Sequence, residues 1–492
     1  MLFPSLLHAI DTYQKQCPDK LCLADSAEEI CYRDYARRIV ATCALLQTNG
    51  IQQGDRVVLK AKQTISYLCW CHAIQLAGGI AVPLENSAGD MRVEQILALT
   101  EASMYVGDAP LGDAKFVPYD AQSDLALSSA DMTQQLPDPQ QISMILFTTG
   151  TTGASKGIVV THMSEVAVAE NVMYGVSMKP DNIEIIPTPM NHSFSLRRYY
   201  ANLIRGATVV LLEGIIFLQQ LFDALDRYKA TAIALVPAAL SVIFKLSRDQ
   251  IGQYNHQLDY VQFGSAPLPE ADKERITRLL PDCRLYNIYG STESGCACSL
   301  NFNSADNMPG CIGFPNRHAH FIVTDAQHNQ IESSPEHIGF LAYRGAMAME
   351  KYYNEPELTE RTIIDGYLYT KDLGYIDAQG RVYMLGRDDD VINTGGNKVS
   401  PGEIEECARR YEGVEDCICG ATKDAVMGEV PLLYIVAGDD LDLRALHQYL
   451  SQHLEGFKVP KRIARINQVP RTYNGKIWRA KFAEIKALRQ IT

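Results

Sequence analysis

At 492 residues the chain is several times the size of one domain and can bury a large core. Its 47% apolar and 21% charged residues are ordinary for a folded soluble protein. A net charge of −13 excludes a surface built for nucleic acid, which needs a basic stripe, but leaves room for ATP held by a few local groups and a metal.

The first residues, Met1 to Gln16, lack a basic region followed by a sustained apolar core, so they do not read as a signal peptide. Apolar runs bounded by turn residues then alternate with segments of helical period. Strands are expected at Arg56–Leu59, Met144–Thr148, Ala207–Leu212, Ala232–Val236 and Asp259–Gly264, with helices at Phe217–Tyr228 and Glu270–Leu280. That rhythm predicts α/β units with largely parallel sheets. The polar stretch Asp120–Gln141 reads as a surface connection. The apolar stretch Ala230–Phe244 is too short for a membrane span and holds Thr, Pro and Ser; it reads as a core strand running into a helix. After Gly310 short strands and turns dominate, with a hairpin turn at Asp377–Gly380. A charged joint, Gly386-Arg387-Asp388-Asp389-Asp390, leads into about a hundred residues of small α+β texture. There a helix is expected from Pro401, strands near Val414 and Pro431, a helix near Leu441 and a strand near Arg462. The 13 cysteines are odd in number and spread out. Cys69/Cys71, Cys296/Cys298 and Cys417/Cys419 are each one residue apart, and no Cys-x-x-Cys pair exists. They read as paired thiols on a strand face or as buried small apolar residues, in a reducing, cytoplasmic compartment.

Residues 144–157 read MILFTTGTTGASKG, a buried strand ending in a loop of Gly, Thr and one Lys. Gly150 and Gly153 let backbone N–H groups face an anion, Thr148, Thr149, Thr151 and Thr152 add hydroxyls, and Lys156 adds a positive charge. This is a polyphosphate cradle by composition. It is not a Walker loop, because the spacing fails and Gly157 follows the Lys. Ile158–Thr161 reads as a strand, so no helix N-terminus follows directly.

The loop resembles the Ser/Thr-Gly-Thr-Thr-Gly-x-Pro-Lys-Gly pattern of the acyl-adenylate-forming superfamily, which includes acyl- and aryl-CoA synthetases. Ser155 stands where Pro is usual and Thr149 where Ser is common. Five further segments match. Asn287-Ile288-Tyr289-Gly290-Ser291-Thr292-Glu293 is similar to the Tyr-Gly-x-Thr-Glu motif, and Gly264-Ser265-Ala266-Pro267 to the loop beside the adenine. Tyr369-Thr370-Lys371-Asp372 resembles Thr-Gly-Asp, with Lys371 where Gly is common. Gly395-Gly396-Asn397-Lys398 through Glu405 resembles the loop before the first small-domain helix, with Ser400 as N-cap, Pro401 in the first turn and Glu403 at the capping-box position. Pro470 to Arg479 resembles the terminal pattern that carries the catalytic lysine, here Lys476.

The resemblance covers essentially the whole chain. It implies an α/β fold in which a large domain, residues 1–386, has mostly parallel sheets plus a β-rich subdomain, and a small mobile α+β domain, residues 387–492, carries Lys476. It implies that Tyr289 stacks on adenine, Thr292 bonds the α-phosphate, Glu293 helps hold Mg²⁺, and Asp372 and Arg387 hold the ribose. Asp389 would be the hinge, and Gly395, Gly396 and Lys398 would meet a pantetheine arm. His192, in Pro189 to Ser195, would line the acid pocket beside the carboxylate, with Val236, Phe263, Ser294 and Cys296 around a mostly apolar cleft. Ser193 stands where amino-acid-activating members carry Asp, which disfavours an α-amino acid. Arg197 and Arg198 either greet a second anionic group or lie on a helix face. The implied function is ATP-dependent formation of an acyl-adenylate from a carboxylic acid, then transfer to coenzyme A. Loading of a carrier-protein phosphopantetheine is the rival, and a nucleotide-binding relic the remote one. Lys398, Arg409 and Arg410 lean the balance to CoA. A phosphate-loop NTPase motor fails on the loop spacing. Neither a membrane span nor a nucleic-acid partner is expected, and a homodimer is allowed.

Overall fold

The computed structural model describes residues 1–122, 125, 132–148, 156–215, 217–395, 397–471, 477–487 and 489–491; the side chains of 134, 135, 148, 398 and 489–491 stand outside that description. Among the described residues the strands form three sheets. The first has a run of parallel strands in the order Leu21–Ala24, Thr208–Leu211, Ile183–Ile186, Ala232–Leu235, Tyr260–Phe263 and Arg284–Tyr289. Their short apolar runs (TVVL, AIAL, YVQF) are buried throughout, as strands covered on both faces must be. Helices pack against them, including the amphipathic Leu218–Tyr228, which turns Leu221, Phe222 and Leu225 into the core. The same sheet continues antiparallel through Cys298–Asn301 and Cys311–Pro315 into Val382–Arg387, Tyr367–Ile376, Gly339–Arg344 and His320–Thr324. This is the expected β-rich part.

The second sheet runs parallel through Lys115–Pro118, Met104–Gly107, Arg56–Ala61, Ile80–Glu85 and Ile142–Thr148. It closes with Lys156–Thr161 antiparallel to Ile142–Thr148, and Lys351–Tyr352 on its edge. The third sheet holds Ile392–Thr394, Asn397–Val399, Val414–Asp424, Gly428–Ala437, Arg462–Arg465 and Arg489–Ile491, with helices Pro401–Arg409 and Leu443–His453 on a separate apolar cluster.

Each strand and helix named from the sequence appears, with ends shifted by at most two residues. The Ala230–Phe244 stretch is strand Ala232–Leu235 running into helix Pro237–Leu246. No helix among the described residues is long and apolar enough to cross a membrane. Asp377–Gly380 is the expected turn, closed by the Gly380 N–H donating to the Asp377 carbonyl at 2.9 Å. Two expectations change. Cys69 and Cys71 lie on a helix, Ile65–Leu76, not a strand; they and the other two pairs are buried, which pushes the thiols up, Cys71 to about 12. The capping box before Pro401–Arg409 does not form: Ser400 is the N-cap but makes no side-chain cap bond. The Glu403 carboxylate instead accepts from Lys458 Nζ at 2.8 Å, a partner distant in sequence.

The candidate adenylate site

Three of the site segments follow the carboxyl ends of parallel strands of the first sheet, where open α/β sheets bind ligands. Strand Tyr260–Phe263 delivers Gly264-Ser265-Ala266, and strand Arg284–Tyr289 delivers Gly290 to Glu293. Strand Ile183–Ile186 leads to His192, the N-cap of helix Ser193–Arg205. His192 Nδ1 accepts the Phe194 N–H at 3.2 Å. The helix therefore begins inside the crevice, with its partly positive end facing it.

The loop after Tyr289 leaves room only for glycine at Gly290. A Cβ there would stand 2.0 Å from the Gly295 carbonyl oxygen. Ser294, named from the sequence as cleft lining, is buried and braces this turn: its Oγ accepts the Ser291 N–H at 2.7 Å. Thr292 Oγ1 lies 3.1 Å from Ser193 Oγ, joining the loop to the start of the helix.

Asp372 and Arg387 face each other across two antiparallel strands. The Tyr289 hydroxyl donates to Asp372 Oδ2, and Thr370 Oγ1 donates to the same oxygen at 2.9 Å. Burial raises the Asp372 carboxyl above its ordinary range, partly opposed by these donors. Lys371 has φ +62°, the left-handed region, which explains why glycine suits that place. Its Nζ lies 3.1 Å from Asp389 Oδ1, and the Asp388 N–H donates to its carbonyl at 2.8 Å. The residue taken as a departure in a loop is thus a strand residue tied to the joint.

Glu293 Oε1 accepts from the Tyr352 hydroxyl at 3.1 Å, and Lys156 Nζ stands 5.6 Å from the Tyr352 ring centre. Tyr352 joins the end of the phosphate loop to the acidic residue of the second motif. Its sequence neighbourhood carried no signal, since its position depends on strand Lys351–Tyr352 pairing with Lys156–Thr161. Thr148 pairs with Lys156 on neighbouring antiparallel strands. Thr149, Gly150, Thr151, Thr152, Gly153, Gly396 and Lys476 lie outside the described residues, as do the Thr148 and Lys398 side chains. Gly395, at φ +55°, donates its N–H to the Met427 carbonyl at 3.0 Å. Arg409 and Arg410 lie 3.8 Å from Glu405 and Glu406 respectively.

Ser265 Oγ, Asn287 Oδ1 and Arg387 Nε, on the strands and loops that carry Tyr289 and Asp372, and the hydroxyl of Tyr343, whose ring packs edge-on to Tyr289, are buried with no partner among the described residues. Buried polar groups are nearly always paired, so orphans clustered in a crevice fit a polar ligand such as a nucleotide.

Comparison with known proteins agrees with this geometry. Residues 10–353 match the family model described as AMP-binding enzyme, and residues 403–476 match AMP-binding enzyme C-terminal domain. The chain is 26% identical to the long-chain-fatty-acid–CoA ligase of Bacillus subtilis (strain 168), covering 95% of this chain and 92% of that protein. It is 25% identical to the 2-succinylbenzoate–CoA ligase of Bacillus cereus (strain AH820), covering 95% and 96%. ATP-bound MatB from Rhodopseudomonas palustris superposes with a TM-score of 0.87 at 24% identity, covering 98% of each chain, a likeness of fold. With a family model matched over most of its length, the chain belongs to the AMP-binding enzyme family.

Proposed function

We propose that the chain is an AMP-forming acid–CoA ligase: it activates a carboxylic acid with ATP, releases pyrophosphate, and passes the acyl group to the thiol of coenzyme A. The observation that carries this reading is that Ser265 Oγ, Asn287 Oδ1 and Arg387 Nε, on the elements that bear the Tyr289–Asp372 pair, are buried without partners among the described residues in a chain of this family. The relatives are ligases that use CoA but differ in their acids, so the acceptor is common and the acid is set by the pocket.

In the first step a carboxylate oxygen attacks the α-phosphorus and pyrophosphate leaves. The protein contributes charge and alignment. Asp372 and Arg387 hold the ribose, Tyr289 flanks the adenine with Gly264 to Ala266 on the other side, and Thr292 donates to the α-phosphate. Lys156 and the threonine-rich loop cover the β- and γ-phosphates. Glu293, held by Tyr352, is the residue that would hold Mg²⁺. That ion, when bound, screens the triphosphate charge from the carboxylate. Lys476 bridges the incoming carboxylate and the α-phosphate. In the second step the small domain beyond the joint rotates about Asp389 relative to the large domain, Lys476 leaves, and the CoA thiol enters along Gly395, Gly396 and Lys398. Two features support the placement of the joint: Arg387 closes a strand of the first sheet, and the turn that follows is bound to Lys371.

ATP–pyrophosphate exchange against a panel of carboxylic acids tests the reading. Exchange with one acid class, reduced at least about 100-fold in Lys476→Ala, is expected. No exchange with any acid would refute catalysis and leave a nucleotide-binding protein. Exchange without CoA-dependent acyl transfer would move the acceptor to a carrier protein.

A further inference from the structure

Two adjacent arginines on helix Ser193–Arg205 have opposite surroundings. Arg198 meets Glu184 with Nε and Nη2 at 2.7 Å each, and Nη2 also reaches the Tyr260 hydroxyl at 3.1 Å. Its charge is neutralised inside the core. Arg197 is only 8% exposed, yet no carboxylate among the described residues stands within ion-pair distance of it. Its Nη2 donates to neutral oxygens, Ser193 Oγ at 3.1 Å and the Ser291 carbonyl. Burial pulls the guanidinium pKa down, with Cys296, Tyr343 and Glu293 opposing at longer range. A guanidinium cannot shed its proton in a protein, and an uncompensated buried charge is costly. A hydrogen-bonding brace for the loop needs only a neutral donor.

The place of this charge indicates its use. Ser193 Oγ lies 3.1 Å from both Thr292 Oγ1 and Arg197 Nη2, so one hydroxyl separates the guanidinium from the proposed α-phosphate residue. The first turn of the helix adds positive potential at the same spot. The phosphates and the attacking carboxylate have their own counter-charges in the reading above, Lys476, Lys156 and a divalent ion, which leaves the charge of Arg197 for a further anion. We infer that Arg197 binds a second carboxylate of the substrate, making the preferred acid a short dicarboxylic acid. Planar guanidinium and carboxylate groups match in pairs of hydrogen bonds, and the narrow span from Thr292 favours few intervening carbons. The inference rests on the adenylation reading above.

Matched substrates test it: the α,ω-dicarboxylic acids from malonate to adipate beside their monomethyl esters and the monocarboxylic acids of equal length. Each is assayed by ATP–pyrophosphate exchange in the wild type, Arg197→Gln and Arg197→Met, with ATP affinity measured by calorimetry. The expected result is a diacid-to-monoester ratio of kcat/KM of about 100-fold or more in the wild type, collapsing in both variants while ATP affinity holds. A wild-type ratio near one overturns the inference while leaving adenylation intact. Equal losses for diacids and monoesters in the variants also overturn it, because Arg197 would then be a loop brace. Exchange with none of these acids but with a longer or aromatic monoacid refutes it too, and exchange with no acid at all removes the adenylation reading and the inference together. If the variants fail to fold, the wild-type ratio decides.

Discussion

Replacing Glu165 by Gln should stabilise the protein at alkaline pH and do little in acid. Glu165 lies on helix His162–Gly175, fully inside the core, where burial pushes its carboxyl from the ordinary 4.5 up to about 8. Tyr200 OH and Gln75 Nε2 donate to Oε1 at 3.3 Å each, from helices Ser193–Arg205 and Ile65–Leu76. Oε2 has no partner among the described residues and stands 3.9 Å from the equally unpartnered His162 Nδ1. Burial holds His162 neutral, its pKa lowered to about 3, so no cation is there to keep the carboxylate charged. The folded state therefore keeps the Glu165 proton, while the unfolded chain loses it above its ordinary pKa. Between those two values each pH unit costs the folded state about 1.4 kcal/mol, so stability falls as pH rises through the window and levels off above pH 8. From pH 5 to pH 8 the cost is on the order of 4 kcal/mol. Glutamine mimics the protonated acid: its carbonyl can accept from Tyr200 and Gln75 while its NH₂ faces His162. Denaturant unfolding of wild type and Glu165→Gln at several pH values measures the effect. The variant's advantage should grow with pH across the window; an advantage that stays constant with pH would refute the reasoning.

Glu184→Gln should destabilise by about 3–5 kcal/mol, since it leaves Arg198 buried without its counter-charge; an unfolding free energy within about 1 kcal/mol of wild type would count against this. Asn202 Nδ2 and the Tyr260 hydroxyl also lose their charged acceptor in that variant. At Lys371, φ +62° penalises any side chain, so Lys371→Gly should unfold about 1 kcal/mol later than Lys371→Ala, although both lose the exposed ion pair to Asp389. Equal midpoints for the two would show that the backbone there is not strained.

Much of this was open to reading in the chain itself. Strands such as Ala232–Leu235 and Tyr260–Phe263 announce themselves because a buried parallel strand needs an unbroken apolar run. The motif order, from the threonine-rich loop to Lys476, names the chemistry because binding a triphosphate takes particular groups in particular turns, and those turns follow strands. Gly290 is legible for the same reason, since no other residue fits beside the Gly295 carbonyl. The capping box at Ser400 misled because its acidic member found a distant lysine, and local chemistry cannot foresee a competitor brought in by folding.

What tertiary structure alone decided is the pairing of charges and polar groups across elements. Tyr352 reaches Glu293 only because one short strand edges the second sheet. Arg197 and Arg198 are neighbours of identical type, indistinguishable to any reading of the chain. The turn of the helix sends Arg198 to the carboxylate of Glu184 on a buried strand and Arg197 to the neutral Ser291 carbonyl, so one charge is paired and its neighbour is not. Sequence determines which groups a chain possesses; only the packed arrangement determines which of them meet, because electrostatic pairing acts over a few ångströms of space and not along the chain.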